Sequence, residues 1–212
     1  MTSDHAQTQF NPRTVLVGLQ RREVDFVLIG GLARVARGAD EVTRGVDICP
    51  SVQPINLGRL QAALIDLGAL SLDVVGGPPM QFAYDEARLR AEQVVALPTV
   101  GGELKLVAAP AGVPRGYDAL RAGATSEHLG SGLRIEIAST ADLITMAAAL
   151  RRPEDLERLP ALRQILRLEA DPARLVESPA RRTPTPQELA RTRPYRAPGA
   201  PGGSRGDPGV GR

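Results

Sequence analysis

The stretch Phe26-Val-Leu-Ile-Gly-Gly-Leu-Ala33, followed a short way on by Thr43-Arg-Gly-Val-Asp-Ile-Cys-Pro50, decides how this chain is read. The apolar run from Val24 to Ile29 predicts a buried strand. The paired glycines Gly30 and Gly31 then permit a tight turn that residues with a Cβ resist. A helix suits residues 32 to 38, and Val46-Asp-Ile48 predicts a second short strand that carries one acid, Asp47.

Working outward, Leu57, Leu60, Leu64 and Leu67 recur at spacings of three and four, which marks one apolar helix face ending at Gly68. Leu72 to Val75, Gln93 to Leu97 and Glu103 to Val107 read as further strands. Strict alternation in Leu133-Arg-Ile-Glu-Ile137 predicts a strand with one wet face. Ser139, three residues before Asp142, opens a helix through Leu150 as a capping residue. Pro153 suits the first turn of another helix, which Pro160 is expected to kink or split. Short strands interleaved with helices, and a helical end, predict an α+β fold, or an α/β fold with a small sheet.

The chain has 212 residues, 42% hydrophobic and 24% charged, enough for a real core but not for several large domains. Its formal charge of +2 and pI near 9.1 invite a nucleic-acid reading. That charge is unevenly held. From Ser178 to Arg212 there are 7 arginines against Glu188 and Asp207, so the rest of the chain is net acidic. This Arg-, Pro- and Gly-rich segment, 178–212, lacks the apolar content to offset ordering entropy and is expected to be a disordered tail. Residues 1–177 form the expected domain, with its core over about 12–170. A lone cysteine, Cys49, offers no disulfide framework, and no apolar stretch reaches the length of a membrane span. A cytoplasmic protein with no membrane partner is the expectation. His5 and His128 stand in no ligand spacing and read as surface residues.

The two opening motifs resemble the nucleotidyltransferase fold, and more narrowly the AbiEii-type toxins of type IV toxin–antitoxin systems and their mycobacterial relatives. That family places Gly-Gly after its first strand and a Thr-x-Asp-x-Asp strand soon after. The likeness continues through Asn56-Leu57 to Gly68-Ala69 and through Thr99-Val-Gly-Gly-Glu-Leu-Lys105, where the family reads Thr-x-x-Gly-x-Leu-Asp. It reaches Gly116-Tyr117 to Leu120, Ala141-Asp-Leu-Ile144 and Arg152-Pro-Glu-Asp155, the last matching an Arg-Pro-x-Asp element. The resemblance implies a small mixed sheet of the polymerase beta-like type with a helical C-terminal part. It also implies transfer of a nucleotide from an NTP to an RNA, such as tRNA, or to a protein hydroxyl, with Mg²⁺ as cofactor and an antitoxin protein as partner. Metal-assisted transfer needs clustered carboxylates, and two acids two apart on a strand face the same way. Gly30, Gly31, Thr43, Arg44, Arg152 and Asp155 are the substrate-binding positions the resemblance implies, with Asp47 catalytic and metal-binding.

The departures fall on that metal site. The first Asp of Thr-x-Asp-x-Asp is Gly45, the third carboxylate is Lys105, and the basic residue expected before Arg-Pro-x-Asp is Ala147. Lys105 is the chain's only lysine. It is expected to occupy the place of the metal and to pair with Asp47, a contact at ~4 Å gaining ~4 kcal/mol at an effective dielectric of 20 before desolvation. Glu103 shares the strand face of Lys105 and offers a displaced carboxylate. Arg34 and Arg37, one helical turn apart, read either as a phosphate path joined by Arg44 or as solubilising surface. Three functions follow as expectations. The first is a catalytically impaired nucleotidyltransferase-like protein that keeps a nucleotide, RNA or partner-binding role. The second is a working toxin using Mg²⁺ and NTP through Asp47 and Glu103, and the third is an RNA-binding module driven by the basic tail.

Overall fold

Four consecutive residues with no exposed side, Phe26–Ile29, form the strand beside which the rest of the sheet is laid. The computed structural model describes residues 10–69, 85–130 and 132–171; the strand expected over 72–75, His5 and the tail from 178 to 212 lie outside the described residues. In chain order the elements are α1 (Pro12–Arg21), β1 (Phe26–Ile29), α2 (Gly30–Ala36), β2 (Gly45–Pro50), α3 (Pro54–Asp66) and α4 (Glu86–Ala91). Then come β3 (Val95–Thr99), β4 (Gly102–Leu106), α5 (Tyr117–Gly123), β5 (Thr125–His128), β6 (Arg134–Ile137), α6 (Thr140–Leu150) and α7 (Pro153–Ala170). Strands and helices interleave as the α+β reading expects, around a six-stranded mixed sheet ordered β3-β4-β2-β1-β6-β5.

Strand β1 runs antiparallel to β2 and parallel to β6, and β2 runs parallel to β4. The sheet centre is apolar on both faces: Val27, Leu28, Val46, Ile48, Leu104, Leu106 and Ile137 are all buried. Such double burial is what covering helices impose on parallel strands. Val15, Leu16 and Leu19 of α1 and Leu60, Ala63 and Leu64 of α3 complete the same core, with Leu67 buried just past the end of α3. β6 alternates as its sequence predicts, with Ile135 and Ile137 buried and Arg134 exposed. Cys49 is buried with Sγ 3.9 Å from the Ala108 carbonyl oxygen, and burial pushes its thiol up to about 12, so it stays protonated at neutral pH.

Of the two alternatives for the last helix, the split at Pro160 does not occur. α7 runs unbroken through Pro160 to Ala170. The carbonyl deprived of its donor there belongs to Leu156, which is 46% exposed, so water can take the place of the missing bond. Ser139 caps α6 by accepting from the Asp142 N–H at 3.1 Å, as expected. Its hydroxyl also donates to the Asp142 carboxylate at 2.6 Å, where a capping box would have the acid reach back to the backbone.

A buried amide holds the β1–β2 hairpin shut. Asn56 in α3 accepts from the Asp25 N–H at 2.7 Å and donates to the Asp25 and Ser51 carbonyls at 2.9 and 2.7 Å. The three bonds tie the residue before β1 to the residue after β2, fixing how the two strands enter the site. Asn56→Ala removes a partner from the Asp25 N–H and the Ser51 carbonyl, while the Asp25 carbonyl keeps the Ser51 N–H, and is expected to cost about 2 kcal/mol in denaturant melts. The neighbouring Ile55→Ala, at a side chain 77% exposed, is expected to stay within about 0.5 kcal/mol of wild type.

Candidate functional site

The site grows from the end of β1. Ile29 stands opposite Asp47 in the antiparallel register, and the chain turns at once into α2 through Gly30 at φ +66°. A Cβ on Gly30 would lie 1.9 Å from Asp47 Oδ2 and 2.7 Å from its Cγ, so a side chain is excluded both by space and by backbone conformation. The Gly31 N–H hydrogen-bonds the Asp47 carboxylate. A Cβ on Gly31 would meet Thr43 Oγ1 at 2.8 Å, and that hydroxyl donates to the Gly45 carbonyl at 3.2 Å. The two glycines thus seat Asp47 and Thr43 against the turn. The Gly31 N–H, at a position the resemblance implies to be substrate-binding, also favours the charged form of Asp47.

The parallel register of β2 on β4 sets the rest. Gly45 stands opposite Glu103 and Asp47 opposite Lys105. Registered residues of neighbouring strands share a face, so the four positions form a rectangle roughly 4.8 Å across the strands and roughly 6.6 Å along them. The vacant corner is Gly45, where an added Cβ would lie 3.7 Å from Glu103 Oε1.

Lys105 does not pair with Asp47. Its Nζ lies 2.9 Å from Glu103 Oε1, and this bond, with the Asp47 and Glu103 charges, raises the lysine above its usual pKa. The reason is depth. Lys105 and Glu103 keep 39% and 49% of their side-chain surface in contact with solvent, whereas Asp47 is drawn down to the Gly31 N–H. Desolvation is the largest influence on Asp47 and holds its carboxyl above the ordinary value of 3.8; the charges of Lys105 and Arg34 and the Gly31 bond oppose it only in part.

Around this rectangle runs an ion-pair chain that the sequence did not announce. Arg34 Nε lies 2.8 Å from Glu41 Oε1, Arg158 Nε lies 3.0 Å from Glu41 Oε2, and Arg158 Nη1 lies 3.7 Å from Asp155 Oδ1. The Asp155–Arg158 spacing of three on a helix was a readable signal, but Glu41, in the loop after α2, carried none. Asp155 is buried, and its Oδ2 has no hydrogen-bond partner. Arg37 is not on a phosphate path. It donates through Nε and Nη2 to the Ala138 and Ile137 carbonyls at 3.0 and 2.8 Å and so fastens the end of β6.

A cleft of about 370 Å³ opens beside Asp47 and Lys105. Arg34, Arg152 and Asp155 line it with Gly30, while Val107, Leu143, Met146, Ala147 and Leu150 make an apolar wall. A smaller opening of about 240 Å³ on the Gly45 side is lined by Thr43, Arg44, Glu103 and Arg158 and shares Arg34, Asp47 and Lys105 with the first. Every position that the resemblance implies thus meets at these two openings, Ala147 as part of the apolar wall. The donor set does not suit Mg²⁺, which demands near-octahedral oxygen coordination. Among the described residues no three His, Cys, Asp or Glu side chains are placed to hold a metal ion. The two carboxylates nearest the expected site face an ammonium, which already binds one of them.

No family model matches the chain, and no curated protein matches it in sequence. Among solved structures it is similar to the antibiotic-resistance factor ANT(2'')-Ia, at 15% identity with a TM-score of 0.41, over 78% of this chain and 94% of that one. Among the described residues no helix is long and apolar enough to cross a membrane.

The raised Asp47 pKa has a stability consequence whose sign follows from linkage. The folded state holds this proton more tightly than the unfolded state, so the stabilisation is present at low pH and is lost as pH rises above 3.8 through the folded value. Asp47→Asn is therefore expected to melt at a higher temperature than wild type at pH 7, with the gap closing as the pH is lowered toward 3.8. Thermal melts across that range check it; a variant less stable than wild type at pH 7 contradicts it.

Proposed function

We propose that this chain is a nucleotidyltransferase-like protein resembling the AbiEii-type toxins, with an impaired catalytic centre and a retained nucleotide-binding cleft. The observation that carries the reading is the pairing of Asp47 with Lys105 and of Gly45 with Glu103 across β2 and β4. Where the family's chemistry calls for three carboxylates around a divalent ion, one remains in place, one is missing and one is replaced by a base. Each change works against a cation, and together they remove two negative charges and add a positive one.

The cleft itself supports binding. Its apolar wall on α6 suits the face of a base, and Arg34, Lys105 and Arg152 offer positive charge to phosphate at the other side. Its volume of about 370 Å³ lies within the range of small-molecule sites. An RNA end or a protein partner carrying the same phosphate chemistry would approach through the Gly45 side, where Arg44 is exposed.

Transfer of labelled nucleotide from each NTP to tRNA and to protein, with Mg²⁺ present, tests the reading. Wild type is expected to give no transfer above the protein-free background. Gly45→Asp combined with Lys105→Asp restores the expected acids and is expected to bring Mg²⁺ binding with it. Robust transfer by wild type that Asp47→Ala abolishes would overturn the proposal.

A further inference from the structure

We infer that the cleft takes its phosphate-bearing ligand without a divalent metal, the Lys105 ammonium and the Arg152 guanidinium together standing in for the cation. The inference rests on the nucleotide-binding reading above and adds to it the mode of anion recognition.

Three observations converge. Lys105 stands directly across from Asp47, at the position where the metal's third ligand is expected, and its side chain reaches the cleft. Arg152, at the start of α7, lines the same cleft, and its charge acts unfavourably on the Lys105 ammonium. Among the described residues Arg152 forms no ion pair, and Lys105 pairs only with Glu103. Two like charges facing one space, one of them unpaired, are relieved by an anion between them.

The third observation is Asp155. Its carboxylate is buried on the wall of this cleft, Arg158 attends only Oδ1, and Oδ2 has no partner. A buried acceptor without a partner, on a residue that lines a cleft, favours a ligand that brings a donor. The ligand therefore carries both an anionic group for Lys105 and Arg152 and an N–H or O–H donor for Asp155. A nucleoside phosphate meets both demands through its phosphates and its amino or hydroxyl groups. A divalent ion could take the Asp155 oxygen but offers nothing to Lys105 and Arg152, whose charges repel it.

The test is titration calorimetry of the full chain with ATP and, separately, with inorganic pyrophosphate, each in Mg²⁺ and in EDTA. ATP is expected to bind in EDTA at least as tightly as in Mg²⁺, because the ion masks phosphate charge that the protein would otherwise meet. Lys105→Gln and Arg152→Gln are each expected to weaken binding about tenfold. Both side chains are solvent-accessible, and circular dichroism checks that the variants fold. Asp155→Ala is expected to weaken ATP relative to pyrophosphate, because only ATP brings amino and ribose hydroxyl donors to that carboxylate. ATP binding that requires Mg²⁺ would overturn the inference while leaving the nucleotide-binding reading intact. Lys105-dependent binding of pyrophosphate in EDTA, without any ATP binding, would support the metal-free anion site and overturn the nucleotide reading. Absence of binding by either probe in both conditions would overturn the inference.

Discussion

The parallel register of β2 on β4 is the constraint on which the site depends. Sliding β4 by one residue would turn Lys105 and Glu103 to the opposite face of the sheet, away from Asp47, because side chains alternate with period two. The register is held by burial. Val46 and Ile48 alternate with Asp47 on β2, Leu104 and Leu106 alternate with Lys105 on β4, and all four apolar residues are buried. Such a slip would turn Leu104 and Leu106 away from Val46 and Ile48. The charges on the opposite face are therefore placed by the hydrophobic core rather than by their attraction for one another.

That arrangement keeps the exposed charges of the site off the core. Lys105 and Glu103 remain partly in solvent, so neither side chain burdens the core. A partly exposed ion pair contributes little to stability in any case. Asp47 is the costly residue. It is desolvated beneath Gly30, its neighbour Gly30 must be a glycine to clear it, and its pKa rises accordingly. A desolvated carboxylate beside a cleft marks a candidate functional site.

Much of this was legible before any coordinates. The all-apolar Phe26–Ile29, the two glycines after it and the Leu57-to-Leu67 spacing are local signals, and local physics decides them. β5 was missed because Thr125-Ser-Glu-His128 has no buried face and exists only by pairing with β6 at the sheet edge. The persistence of α7 through Pro160 depends on whether the freed carbonyl meets water, which spacing does not reveal. The partner of Lys105 was misread for a related reason. Asp47 and Glu103 were both within reach on paper, and the choice between them turned on the Gly31 N–H, which no pattern in the sequence assigns to Asp47. The Arg34–Glu41–Arg158–Asp155 chain joins residues far apart in sequence and became visible only in three dimensions.

In the proposed metal-free mode the Lys105 ammonium takes the electrostatic place of a metal ion. Because Lys105 is the only lysine in 212 residues, selective ¹³C-lysine labelling yields one side-chain NMR signal, and that signal reports on the site directly. It is expected to shift on addition of ATP in EDTA and to keep its intensity when Mn²⁺, a paramagnetic surrogate for Mg²⁺, is added to the free protein. Site-specific bleaching of the signal by substoichiometric Mn²⁺, reversed by chelator, would contradict it.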